Sequence, residues 1–345
     1  MKTVTSKIIL LLLGVLAALF ISEIIVRCFR LAPIMLDFNI IYNHQFVENP
    51  KICYKIKPLA NKDINSEGFR GEEFSLKKGK DLVRIIMLGD SITYGAFVKR
   101  SESFPEVLEE ILNVVNHQFS LLTRYETMNF GVGGYNIVSE IEVLKMHGLK
   151  YKPDIVILNY FWNDNEMYSF DYWSFVERND LSSAEKNWAY QYYLWPDRFR
   201  WKRLFFRSHL SVYIWARFNQ LRESWLEFEN VEYETYKNDI VLEKLKELKK
   251  MAADHNFKVL ICMHPILNYD KNEPHPNYLK TKKIAEELGI PCFDLIEYYK
   301  QQSEDPKTFL AKEKDVYHPN AIGHSLIARS LMFELEKMGY VRLEN

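Results

Sequence analysis

Apolar runs of strand length alternate along most of this chain with segments of helical period, and that alternation restricts the fold more than any other feature. Residues 83–88, 126–130, 154–160, 258–263 and 290–295 read as strands. Residues 104–115, 138–148, 241–255, 279–288 and 321 to about 337 carry apolar side chains at helical spacing. Strands that are apolar on both sides need cover on both sides, and helices between successive strands supply it. The predicted fold class is therefore α/β: a flavodoxin-like three-layer sandwich around a five-stranded parallel sheet. Sites in such sheets form at the carboxyl ends of the strands, so the residues that follow each run are the ones to inspect.

The chain outside this alternation divides into three parts. Residues 1–30 read as a transmembrane signal-anchor, 31–80 as an irregular extracytoplasmic lead-in, and 81–345 as the main domain with an insertion at 165–239. In the first part, Lys2 and Lys7 precede an apolar stretch at 8–21 that continues through 24–26, past Ser22 and Glu23. As a helix it rises roughly 28 Å, barely the thickness of a bilayer core. A cleaved signal peptide and a buried helix are the competing readings, but no small-x-small cleavage site follows, and Arg27 and Arg30 close the segment. A position at the start of the chain favours an inside amino terminus: a single-pass protein of the cell membrane with its bulk exported.

Pro33, Pro50 and Pro58 punctuate the lead-in, whose most distinctive piece is the Asn65-Ser66-Glu67-Gly68-Phe69-Arg70-Gly71 turn. The insertion holds six of the seven tryptophans and is too aromatic for disordered filler, so a helical cap is expected. Within it, residues 198–207 are basic and aromatic together, which fits either a helix lying on lipid or a solvated cap helix packed on the core. Net charge is −1, so no global field favours nucleic acid. Cys28, Cys53, Cys262 and Cys292 match neither a zinc ligand set nor a redox pair; Cys262 and Cys292 read as buried thiols, with a disulfide allowed but not required.

The first strand ends in Gly89-Asp90-Ser91, which places a serine where the chain turns toward a helix. A serine hydroxyl is a weak nucleophile until a base takes its proton. Asp315-Val316-Tyr317-His318 offers both a base and a carboxylate to orient it, and the i, i+3 spacing predicts the two on one side of a helical turn. Acyl transfer further needs donors for a developing oxyanion. Phe130-Gly131-Val132-Gly133-Gly134-Tyr135 follows the second strand, and a glycine-rich turn brings backbone N–H groups close to a reacting carbonyl. Asn163, in Phe161-Trp162-Asn163-Asp164 after the third strand, has a side-chain donor to offer.

Gly89-Asp90-Ser91, Asn129 to Gly134, Asn163-Asp164 and Asp315-x-x-His318 resemble, in order, the four sequence blocks of the SGNH (GDSL-type) hydrolase superfamily. The resemblance spans about residues 83–338 apart from the insertion. It implies a five-stranded flavodoxin-like sheet, a Ser–His–Asp catalytic set and an oxyanion hole. Carried over residue by residue, Ser91, Asp315 and His318 are catalytic, and Ser91, Gly134 and Asn163 form the oxyanion hole. The Asn65–Gly71 turn and the membrane segment also look like lead-ins of exported members. Two positions depart from the pattern: Ile92 stands where the eponymous leucine would be, and Phe161 replaces a glycine two residues before Asn163.

Plainer readings stand beside these. A lone Gly-Asp-Ser is usually a turn, and Asn163 could be a turn former. Asp164 and His264 read as structural, and His275 and His324 as surface or helix-packing residues. A dinucleotide loop at Gly131–Gly134 fails at Asn136. No histidine pair has metal spacing and no organic cofactor is implied. The expected function is a serine esterase acting through a seryl-ester intermediate on O-acetyl esters of envelope carbohydrate. A lipid esterase or lysophospholipase, an O-acyltransferase, and a non-catalytic envelope-assembly binding protein are the alternatives.

Overall fold

A computed structural model describes residues 2–29, 44–46, 49, 52, 54–165, 208, 210–211, 213–214, 217, 239–268, 274–312 and 315–343. The chain forms two compact units, Met1–His44 with Asp180–Glu232, and Gln45–Asn179 with Tyr233–Asn345. The expected cap and its basic aromatic stretch at 198–207 lie almost wholly outside the described residues, as does Cys53.

In the first unit, helix α1 (Lys2–Cys28) contains a segment, Val4–Cys28, that is long and apolar enough to cross a membrane. Its 25 residues rise about 37 Å, more than a bilayer core. Leu10, Leu11 and Phe20 are each 68 % exposed, and among the described residues nothing buries the most apolar stretch. That overturns the buried-helix reading and is consistent with a single-pass membrane anchor. Near its end, Glu23 accepts hydrogen bonds from Arg27 Nε (2.6 Å), Ser208 Oγ (2.8 Å) and the Leu210 N–H (2.8 Å).

The second unit is built on a five-stranded parallel sheet. Its strands are β1 (Leu82–Gly89), β2 (Arg124–Asn129), β3 (Ile155–Tyr160), β4 (Lys258–Met263) and β5 (Cys292–Asp294), in the order β2-β1-β3-β4-β5. This is the flavodoxin-like arrangement expected from the alternation of elements. Successive side chains of a strand point to opposite faces, and the core divides accordingly. Ile86 and Leu88 of β1 join Val156, Leu158 and Ile261 on one face. Helices α3 (Ile137–Val143), α4 (Asp239–His255) and α5 (Pro276–Leu288) cover it with Ile141, Leu245 and Ile284. Ile85, Met87, Ile157 and Leu260 form the other face, under Leu108 and Leu112 of α2 (Phe104–Gln118) and Ile327 and Leu331 of α6 (Ala321–Lys337).

The predicted helix at 138–148 runs as α3 and then widens into a π-helical turn at Leu144–Gly148. Strand β5 is shorter than the run at 290–295. Arg84 interrupts the apolar run of β1 and is fully buried. Its guanidinium is satisfied by Glu126 Oε2 (2.6 Å) and the carbonyls of Tyr151 (2.8 Å) and Ser75 (2.5 Å), as a buried cation requires. Cys262 and Cys292 are free thiols, as is exposed Cys28. Burial pushes Cys262 far up and Cys292 up to about 12, so both are inert as nucleophiles.

Candidate active site

Ser91 opens one turn of helix, Ser91–Tyr94, directly off the carboxyl end of β1. Asp90 caps that turn, its Oδ1 accepting the Ile92 N–H at 2.8 Å. Gly89 has a positive φ of 155°, and any side chain there would collide with Thr93, so the tight exit from the strand needs glycine. Asn129 ties this turn to the glycine loop after β2: its Nδ2 donates to the Thr93 carbonyl (2.9 Å) and its Oδ1 accepts the Gly131 N–H (2.9 Å). Gly133 lies against the serine, since a Cβ placed there would stand 3.7 Å from Ser91 Cβ. Gly134 has φ +80° and faces the Tyr54 hydroxyl, which donates to the Gly133 carbonyl at 2.7 Å.

The structure brings Ser91, His318 and Asp315 into one hydrogen-bonded line. Ser91 Oγ is 2.8 Å from His318 Nε2, and His318 Nδ1 is 2.8 Å from Asp315 Oδ2. With a carboxylate on Nδ1, the ring proton belongs there, and Nε2 presents its lone pair to the serine hydroxyl. Asp315 and His318 do not share a helical turn, as their spacing predicted. They lie in a strand, Asp315–Pro319, that pairs antiparallel with Leu310–Lys312. Asp315 Oδ1 accepts the N–H groups of Tyr317 (3.0 Å) and His318 (3.2 Å). That turn-like clasp, rather than helical geometry, folds the carboxylate back onto the ring. Both side chains are 20 % exposed, enough to meet a ligand.

Asn163 sits half-buried on the 3-10 turn Trp162–Asn165 just past β3, and its Oδ1 has no hydrogen-bond partner among the described residues. Next to it, Asp164 is fully buried and accepts the Phe161 N–H at 2.8 Å, a structural bond that shapes the turn. Burial raises the carboxyls of Asp90, Glu140 and Asp164, and their mutual repulsion holds Glu140 and Asp164 well above the usual range. Phe161 is buried, its ring edge-on to Tyr317 at 6.0 Å.

Beneath the site, buried His264 reaches Asn159 Oδ1 at 3.3 Å, and Asn159 donates to the Leu88 carbonyl. His324 is fully buried against Phe104 and accepts its N–H at 3.3 Å. Burial pulls both histidines down to about 3, so they stay neutral packing groups. His275 caps α5, and its ring lies tilted against Trp162 at 4.4 Å. Sequence patterns did not single out Asn159, Tyr54 or Phe97. Asn159 alone left a trace, as a polar residue in an apolar strand. Among the described residues no group of histidine, cysteine and acidic side chains could hold a metal ion.

Several solved structures resemble this fold. An acetyl xylan esterase is 16 % identical, with 73 % of this chain and 100 % of that one covered and a TM-score of 0.43. A lipase/acylhydrolase from Enterococcus faecalis is 16 % identical, over 76 % of this chain and 99 % of that one, with a TM-score of 0.45. An acetylxylan esterase from Geobacillus stearothermophilus is 14 % identical, over 76 % and 96 %, with a TM-score of 0.45. Comparison with curated proteins finds no match. The model of the GDSL-like Lipase/Acylhydrolase family matches residues 87–326, from inside β1 to inside α6. With more than half its length matched and a serine hydrogen-bonded to a histidine inside that span, the chain belongs to the GDSL-like lipase/acylhydrolase family and is a serine-type ester hydrolase.

Proposed function

We propose that this protein removes short acyl groups, acetyl above all, from envelope carbohydrate through a seryl-ester intermediate, with Ser91 as nucleophile. His318 takes the hydroxyl proton as Oγ attacks the ester carbonyl, then gives it to the departing alcohol. Asp315 keeps the ring in the required tautomer and stabilises the imidazolium. The N–H groups of Ser91 and Gly134 and the Asn163 amide donate to the oxyanion. Water, activated by the same histidine, then attacks the seryl ester, releasing the acid and restoring Ser91. The 2.8 Å contact between Ser91 Oγ and His318 Nε2 carries this reading, because it gives the hydroxyl its base before substrate arrives.

The substrate class follows from location and bulk. An apolar anchor helix holds an exported domain at a membrane surface, where envelope polysaccharide is within reach. Phe161 stands in place of a glycine two residues before Asn163, and its bulk favours a short acyl group. The division into anchor (1–30), lead-in (31–80) and hydrolase domain (81–345, with its insertion at 165–239) belongs to the same proposal. Labelling by a fluorophosphonate probe, followed by turnover of a panel of acyl esters and acetylated glycans, tests it. Efficient labelling with acetyl preference supports it. Absence of labelling would leave a binding protein, and activity rising on lipid vesicles would leave a lipid esterase.

A further inference from the structure

The Asn65–Gly71 turn is not a passive connection, because it is built tightly and packs on two loops of the candidate site. Asn65 Oδ1 accepts the N–H groups of Glu67 (3.0 Å) and Phe69 (2.9 Å), and the Asn65 N–H returns to the Phe69 carbonyl (2.9 Å). Gly68 has φ +90°, and a Cβ there would overlap the Ile56 carbonyl oxygen. The turn thrusts two side chains inward. The ring of Phe69 stacks on Phe130, 4.0 Å between centroids, directly before the glycine loop. Arg70 goes to the other loop.

The Arg70 guanidinium is buried and donates to three backbone carbonyls of the segment that follows Ser91. Nη1 reaches Tyr94 O (2.9 Å) and Gly95 O (2.7 Å), and Nη2 reaches Val98 O (2.9 Å). It also lies over the Tyr94 ring at 4.8 Å, with Asp63 at 3.8 Å. Only a planar fork of donors serves carbonyls spread in this way; an ammonium is a point charge. Between the clamped residues stands Phe97, with φ +68°, a conformation that is costly for a bulky residue and persists only where the surroundings enforce it. Its ring meets the His318 ring edge-on (87°, 5.1 Å), and the Lys312 ammonium covers its face at 3.6 Å.

We propose that Arg70 is a positioning residue of the hydrolase site: by clamping residues 94–98 it holds Phe97 in its left-handed conformation, and Phe97 in turn seats the His318 ring opposite Ser91. A residue 21 places before the nucleophile thus sets the base through one loop. The inference rests on the reading of His318 as the base. Small displacements of a catalytic group cost up to about 10²-fold in rate, so the effect is on turnover rather than on substrate binding.

The test uses the full-length protein in detergent, with an aryl acetate as substrate. Arg70→Met and Phe97→Ala should each lower kcat about 10- to 100-fold with KM little changed. Both should also slow inactivation by a fluorophosphonate and shift the histidine limb of the pH profile of kcat/KM. In the double variant the losses should not multiply, because both act through the same ring. Arg70→Lys should recover only part of the loss. Losses that multiply in full, or a lowered melting temperature with kcat and the pH limb unchanged, would overturn the proposal. If Arg70→Met does not fold, Phe97→Gly decides: it relieves the backbone while removing the ring, so kcat should fall without loss of stability, and an unchanged kcat rejects the idea. Ser91→Ala separates the two levels. Retained activity there removes the underlying reading, whereas an inactive Ser91→Ala beside normal Arg70 and Phe97 variants removes only this inference.

Discussion

Ser91 Oγ and His318 Nε2 lie 2.8 Å apart although 227 residues separate them in the chain. The serine comes from the end of β1 and the histidine from a strand just before α6. Replacing Ser91 by alanine removes a small, partly exposed hydroxyl without opening a core cavity. Aryl ester hydrolysis should fall by about 10⁴-fold or more with the melting temperature nearly unchanged. A variant that turns over at the wild-type rate would end the nucleophile assignment.

His318→Ala should approach Ser91→Ala in severity, because the two groups act as a unit. Asp315→Asn should cost the same or less, since Asp315 works by holding the ring and its tautomer. Asn163→Ala should lower kcat by about 10²- to 10³-fold, the usual loss for one oxyanion donor. Steady-state kinetics separate the roles, and an effect of Asn163→Ala on KM alone would make Asn163 a binding residue.

Glu140 is buried, and neither carboxylate oxygen has a partner among the described residues. Burial and the nearby Asp90 charge raise its pKa well above the ordinary 4.5. A raised folded-state pKa means that its stabilising contribution is complete below about pH 4.5 and is lost as the pH climbs toward the folded value. Glutamine has no proton to lose. The melting temperature of Glu140→Gln relative to wild type should therefore rise between pH 4.5 and pH 8, and a difference that is flat with pH would contradict the assignment.

The membrane anchor predicts topology. A carboxyl-terminal alkaline phosphatase fusion in a bacterial host should be active, and a fluorescent fusion that matures only in the cytoplasm should stay dark. Carbonate washing should leave the protein in the membrane, because an apolar helix of 25 residues holds it there. Bright fluorescence would reverse the orientation.

Acetyl esters should be cleaved faster than octanoyl esters once micelle effects are controlled. Each methylene that finds no apolar surface forfeits up to about 0.8 kcal/mol, close to fourfold in relative rate. Phe161→Ala should move the preference toward longer chains. Because the ring is buried, it should also cost about 3–5 kcal/mol of stability, so rates are best compared well below the melting temperature. Octanoate preference in the unmodified protein would instead favour a lipid substrate.

Much of the architecture was legible in one dimension. Strands buried on both faces must be apolar nearly throughout, and helices covering them must carry an apolar stripe, so the β2-β1-β3-β4-β5 sheet wrote its pattern into local composition. The same holds for Gly89, whose constraint comes from Thr93 four positions on, whereas Gly131 and Gly133 answer to the turn at Ser91–Tyr94 across the sheet. What the chain order could not reveal are relations across the sheet. The i, i+3 spacing of Asp315 and His318 suggested a helix, whereas antiparallel pairing with residues 310–312 made it a strand with a side-chain clasp. His324 has no local signature of burial, and only the packing of α6 on α2 removes it from water. Arg70 in sequence is one cation in a turn. It became a clamp on the loop after Ser91 only when tertiary folding placed three carbonyls within reach of one guanidinium. Periodicity and backbone constraint are local and can be read along the chain, while hydrogen-bond partners are chosen by proximity in space, which the sheet order decides.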